Sequence, residues 1–284
     1  MLTAERRDAY LEKLGFQQVP EATKASLDAL ISAHQMSIPF STMALHRAGC
    51  APDLSADALY EKVVEQGLGG YCFELNKLFQ ELLETLGFSV RPALSRAVRG
   101  RDGRMPINHR GIVVTLDEGT FSADVGFGGP MPAGALRLED GAEQVICGET
   151  YITERADDAW WKICRITRAG ADLHDDGVPA RHQTELELCT AAVEDIDFAA
   201  LSDACSKPGT LFRDHEVVNL RTPGGHVGYL DGVLTVREGG QKTVTELATA
   251  AERDAALAER FGIRFAQRSS GRIAGWEPVL RGVR

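Results

Sequence analysis

No stretch of this chain is apolar for the roughly 18 residues that a membrane-spanning helix requires. The opening residues, Met1-Leu2-Thr3-Ala4-Glu5-Arg6-Arg7-Asp8, put no apolar run behind their charges and do not read as a signal peptide. The expectation is a cytoplasmic protein with no membrane partner. Basic charge is also short: 31 Lys and Arg stand against 41 Asp and Glu, a net charge of -10. That argues against a general nucleic-acid binder, which needs clustered cations to displace counterions from phosphates. A local basic pocket for an anionic cofactor stays open, because net charge says nothing about one cleft. Cysteine pairs at metal spacing are lacking too. Cys50, Cys72, Cys147, Cys164, Cys189 and Cys205 are scattered, with no C-x-x-C pair and no nearby His at zinc-ligand spacing, so no metal is expected. A cytoplasmic chain of 284 residues is a poor candidate for a disulfide framework. Five of the thiols read as small apolar residues, and Cys72 keeps different company.

What is present suits an ordinary globular protein, with 44% hydrophobic and 25% charged residues. The length allows two or three compact units. Residues 1–86 read as helical. Tyr10, Leu11, Leu14 and Phe16 begin an apolar stripe, Leu27, Leu30 and Ile31 continue one, and Leu59, Val63 and Val64 suggest another helix ending at Gly67. Pro39 interrupts the pattern in an extended corner, Ile38-Pro39-Phe40. Gly69-Gly70 then opens a helix whose face carries Leu75, Leu78, Phe79, Leu82, Leu83 and Leu86, with Gly87 placed to end it. From Phe88 the period becomes that of strands. Phe88 to Val98, Gly111 to Leu116, Thr120 to Val125 and Trp160 to Ile166 predict an antiparallel barrel or sheet over residues 87–191. Residues 192–284 form a third unit: a helix around Val193 to Ser206, strands at Val217 to Leu220 and Gly228 to Val236, and a helix from an N-cap at Thr245 to Phe261. The last stretch is basic, with Arg264, Arg268, Arg272, Arg281 and Arg284 against Glu277 alone. It reads as a solvated tail, or as one that folds back near a phosphate-bearing cofactor or supports oligomer contacts.

Three segments carry chemistry. In Gly69-Gly70-Tyr71-Cys72-Phe73-Glu74-Leu75-Asn76 a thiol starts a helix, where unpaired N–H groups and the positive dipole end favour thiolate and could hold an oxyanion. In Asn108-His109-Arg110-Gly111 an imidazole heads a strand. In Ala123-Asp124-Val125-Gly126-Phe127-Gly128-Gly129-Pro130 a carboxylate sits in an apolar strand and needs a partner if buried. The interval from His109 to Asp124 fits two antiparallel strands joined by a turn at Asp117-Glu118-Gly119, so their meeting is local; Cys72 must arrive by tertiary packing. Thiol, imidazole and carboxylate in that order are what a cysteine nucleophile needs.

These segments resemble the arylamine N-acetyltransferases, whose pattern is R-G-G-x-C-x-E-x-N, then a His heading an apolar strand, then D-V-G-F-G-G-x-x-P. His34-Gln35-Met36-Ser37-Ile38-Pro39-Phe40 is similar to the family's early H-x-x-x-I-P-F segment. The resemblance implies an α+β fold of helical bundle, antiparallel β-barrel and α/β lid with a cysteine-protease-like triad. It implies acetyl-CoA as co-substrate, a small aromatic amine or hydrazine as acceptor, and a ping-pong route through an acetylated Cys72. His109 would be the general base and Asp124 the orienting carboxylate. Gly126, Gly128 and Gly129 would sit beside coenzyme A, and Tyr71 and Phe127 beside the acceptor. Some members of the family are amide synthases that close macrolactam rings, and the same three residues could serve a hydrolase or a binding module that keeps the fold. Two departures stand out: the Arg before the diglycine is Leu68, and the family's P-F-E-N reads Pro39-Phe40-Ser41-Thr42. The two lost charges are expected to be partners replaced by an apolar and a hydroxyl contact, since losing both can be nearly neutral.

Overall fold

Hydroxyl caps start the first helices. Thr3 accepts from the Arg6 N–H to open α1 (Ala4–Lys13), and Thr23 accepts from the Ser26 N–H to open α2 (Lys24–Ser37). The computed structural model describes residues 1–99, 101, 103–129, 131–167 and 181–265. Pro130 of the glycine-rich segment, and Arg268, Arg272, Glu277, Arg281 and Arg284 of the basic stretch, lie outside them. The corner at Pro39 ends α2 and leads into a two-residue strand, β1 (Phe40–Ser41). A short α3 (Met43–Ala48) closes on Gly49, and α4 (Ala56–Tyr60) runs on as a π-turn over Glu61–Glu65. The central helix, α5 (Cys72–Thr85), is buried over most of its length, and Gly87 takes the left-handed conformation (φ 87°) just beyond its end.

The barrel sheet has eight antiparallel strands: β2 (Ser89–Ala97), β3 (His109–Leu116), β4 (Gly119–Ala123), β5 (Leu136–Arg137), β6 (Ala142–Ile146), β7 (Glu149–Arg155), β8 (Trp160–Thr167) and β9 (Arg181–Cys189), in the order β5-β4-β3-β2-β9-β8-β7-β6. Its two ends meet through side chains: the Arg137 N–H donates to Gln144 Oε1 at 2.8 Å, Gln144 Nε2 donates to the Arg137 carbonyl at 2.9 Å, and the Thr153 hydroxyl donates to the same carbonyl at 3.0 Å. Strands β5, β6, β7 and β9 are absent from the sequence expectation; β7 and β9 escape it because their buried faces are not simply apolar. Glu149, Thr153 and Glu185 are buried there, with Glu149 held by Arg221 at 3.1 Å and Glu185 by Arg165 at 3.2 Å.

The third unit is a five-stranded antiparallel sheet, β1-β10-β11-β12-β13, so the N-terminal region lends it an edge strand. The expected strand from Gly228 to Val236 is instead a hairpin, β11 (Gly225–Leu230) and β12 (Val233–Glu238), turning at Asp231-Gly232, both at positive φ. Thr245 is not a helix cap. It lies in β13 (Gln241–Glu246), and the final helix, α8 (Ala250–Phe261), is capped by Thr249 with Glu252 reciprocating. The helix expected from Val193 begins later, as α6 (Asp197–Cys205), followed by α7 (Leu211–Asp214) and β10 (Val217–Thr222). Asp195, just ahead of α6, is drawn to Lys77 of α5 and to Arg110 of β3 instead. One apolar core joins α1, α2, α4 and α5 to Ile112, Val114, Phe121 and Val125 of the barrel and to Phe198 of α6. Among the described residues no helix is long and apolar enough to cross a membrane.

Candidate active site

Backbone register explains how His109 and Asp124 meet. Ile112 pairs with Ala123 across β3 and β4, so one step further Gly111 lies opposite Asp124. His109 shares the face of Gly111 because strand side chains alternate. Asp124 thus sits one residue past its strand, not within it, and its Oδ2 is 2.6 Å from His109 Nε2. Asn76, one turn along α5 from Cys72, fixes the carboxylate from the other side. Its Nδ2 donates to Asp124 Oδ1 at 3.1 Å and its Oδ1 accepts from the Val125 N–H at 2.9 Å, while the Gly126 N–H also donates to Asp124 Oδ1 at 2.8 Å. Gln35, from the early segment on α2, donates to the Asp124 carbonyl at 2.9 Å and to the Pro132 carbonyl at 3.0 Å. Asn76 and Gln35 were both visible in the motifs, but only geometry shows that they hold the Asp124 turn.

Cys72 is the first residue of α5, close enough to the His109 imidazole for its charge to favour the imidazolium. Burial alone would lower the imidazole pKa, but Asp124 and then Cys72 outweigh it and push His109 up to about 10. All three side chains are buried, Cys72 being 1% exposed. Gly126 lets the barrel turn approach this closely: a Cβ there would lie 2.9 Å from the Cys72 Cα. A second thiol is near. Cys72 Sγ and Cys205 Sγ each lie 3.9 Å from the Asn108 carbonyl oxygen, and burial, then Cys72, pushes Cys205 up to about 12.

Glu74 is fully buried on the same first turn. It accepts from the Tyr71 N–H at 3.1 Å and pairs with Lys62 Nζ of the π-turn at 2.6 Å. Leu68 and Ser41 are buried as well. Leu68 packs in the cluster of Met43, Val218 and Leu257, and the Ser41 hydroxyl accepts from the Met43 N–H at 3.3 Å.

A cleft of about 690 Å³ lies alongside, between the glycine-rich turn, the barrel mouth and the third unit. Phe127, Gly128 and Gly129 line it, and the Phe127 ring stands 5.7 Å from that of His109. Gly126 faces α5 rather than the cleft. Tyr71 does not line it either: the ring is buried against Phe73 and Phe212 and its hydroxyl bonds Ser202 of α6. Against the chain's acidic average, the cleft carries Arg99, Arg101, Arg165, Arg221, Arg237 and Lys242.

Residues 23–269 match the N-acetyltransferase family. The arylamine N-acetyltransferase of Mycolicibacterium smegmatis is 29% identical over 259 residues, 89% of this chain and 90% of that protein. The structure of the Mycobacterium marinum arylamine N-acetyltransferase in complex with CoA superposes with a TM-score of 0.79 at 28% identity, covering 90% of this chain and 92% of that one. A shorter match, 33% identical over 126 residues, 43% of this chain and 48% of the other, is to the proansamycin X synthase of Amycolatopsis mediterranei. Helices packed on an almost closed eight-stranded barrel place the protein among the acetyltransferases. The chain belongs to the arylamine N-acetyltransferase family.

Proposed function

We infer that this enzyme carries an acetyl group from acetyl-CoA to a small aromatic amine or hydrazine, through an acetyl thioester on Cys72. The observation that supports this most is the Asp124–His109 contact at 2.6 Å, with the turn after Asp124 packed at Gly126 onto the Cys72 backbone. An imidazole held up to about 10 keeps its proton at neutral pH. Cys72, at the first turn of α5 beside that imidazolium, attacks in its thiolate form. The thiolate attacks the acetyl carbonyl carbon. As the C–S bond to coenzyme A breaks, the departing sulfur takes the His109 proton. In the second half the amine nitrogen attacks the Cys72 thioester, His109 takes a proton from it, and the Cys72 thiolate leaves beside the re-formed imidazolium. Asp124 holds the ring in place and favours its charged form throughout. The N–H groups of Cys72 and Phe73, in the first turn of α5, are the proposed donors to the oxyanion.

The exposed cations Arg99, Arg101 and Lys242 on the cleft suit the phosphates of coenzyme A, with Phe127 between that cleft and His109. Intact-mass measurement after mixing with acetyl-CoA tests the reading. One acetyl group should appear on Cys72, be discharged by an added arylamine, and be absent from Cys72→Ala. The partial match to a synthase favours a second reading, amide formation from a carrier-bound acyl chain. A Cys72 that ignores free acetyl-CoA yet accepts a carrier thioester would select it.

A further inference from the structure

We propose that Glu154, Cys164 and His182, on the outer face of the barrel, form a binding site for one divalent transition-metal ion of the zinc class. The three residues stand on adjacent strands, β7, β8 and β9, and one ligand atom from each lies within 4.8 Å of the other two. Cys164 pairs with Ile152 on one side and Thr184 on the other, so Glu154 and His182 are its diagonal neighbours on the same face. A register shift between Ile163 and Cys164 leaves Glu185 as an extra residue on β9 and tightens the sheet there. The sequence spacing hid this set, because no two of its members are close along the chain.

The Glu154 carboxylate reaches both other donors, one oxygen to each, at about the spacing that ligands of one ion take. Bonds of about 2.0–2.3 Å to N, O and S ligands put neighbouring donor atoms about 3.3–3.8 Å apart. Cys164 Sγ is 3.8 Å from Glu154 Oε2, and His182 Nε2 is 3.3 Å from Glu154 Oε1. The donors also balance in charge: a thiolate and a carboxylate carry two negative charges, and a neutral imidazole adds none. On binding, the Cys164 thiol gives its proton to solvent, and His182 ligates through Nε2 with its own proton on Nδ1. A sulfur donor excludes magnesium and calcium, which take oxygen ligands. Thr184 Oγ1, 3.4 Å from the sulfur, supplies an outer hydrogen bond; burial holds the free Cys164 thiol protonated, so the ion itself must displace that proton. Cys164 is buried whereas Glu154 and His182 reach solvent, so the fourth position opens outward, as in sites that keep a water. The sequence expectation of no metal is revised at this position.

The test uses the full chain stripped with EDTA and titrated with Co²⁺, followed by competition with Zn²⁺. The wild type should bind one Co²⁺ per chain with the near-ultraviolet charge-transfer absorption of a thiolate ligand, and Zn²⁺ should displace it. Cys164→Ser should lose that absorption, and Cys72→Ala should keep it. His182→Ala, at an exposed side chain that folding does not need, should weaken binding at least about tenfold, the loss typical even of an outer partner. No absorption in the wild type, absorption that survives Cys164→Ser or vanishes in Cys72→Ala, or an unchanged affinity in His182→Ala would overturn the proposal.

Discussion

Among the described residues, the two buried histidines respond to pH in opposite directions. His109 rises from an ordinary value near 6.5 to about 10, so the stability it contributes is complete below pH 6.5 and is lost as pH climbs toward 10. Urea titrations from pH 6 to 10 should show wild type weakening more steeply than His109→Gln; parallel curves would remove the charged pair. His34 is fully buried with its Nε2 2.8 Å from the Tyr10 hydroxyl, and burial lowers it to about 3. Its contribution is complete above pH 6.5 and is lost as pH falls toward 3, so His34→Gln should flatten the acid side of the same profile. The thiols divide in the same way. Burial pushes Cys164 up to about 11 and Cys205 up to about 12, so iodoacetamide at pH 6.5 should reach Cys72 before either. Mass mapping that finds equal labelling would contradict an activated sulfur.

At the level of elements, the lost family charges leave a repaired turn. Leu68 sits in an apolar cluster, and the buried Glu74 takes its counter-charge from Lys62 on the preceding π-turn. Leu68→Arg should therefore cost about 3 kcal/mol in chemical denaturation, since it buries a guanidinium among Met43, Val218 and Leu257 while Glu74 is already paired. A variant more stable than wild type would defeat that account. Asp195 is a joint of another kind. It holds Arg110, whose guanidinium is otherwise bonded to Gln80 and stacked 4.4 Å over Phe198, and it also holds Lys77. Asp195→Ala should lose about 2 kcal/mol, less than a sealed pair because its side chain is 43% exposed. Local signals made α5 readable from its leucines, its diglycine entry and Gly87. They also made β3 and β4 readable from apolar runs around a turn. They failed at β13, where Thr245 offered a hydroxyl in a fully exposed strand and the better cap, Thr249 with Glu252, stood four residues on.

For the whole molecule, what the sequence left hidden is what long-range contact creates. Register alone unites His109 with Asp124, but nothing local brings Gly126 onto the Cys72 backbone, or Arg99 and Lys242 onto one cleft of an acidic protein. If that cleft takes coenzyme A, Arg99→Glu should raise the KM for acetyl-CoA by roughly tenfold, the worth of one charge-assisted contact, and leave kcat nearly as it was. A fall in kcat at constant KM would put the cofactor elsewhere. Buried polar residues made β7 and β9 unreadable, and the barrel's closure was equally invisible, since it hangs on Gln144 and Thr153 reaching across to Arg137. A cylinder zipped by two side chains has a weak stave. Opening and closing should begin along that line, so the Arg137 amide should exchange with deuterium sooner than the amides midway along β3, and swapping the glutamine for alanine should widen the gap without touching the chemistry on the far wall.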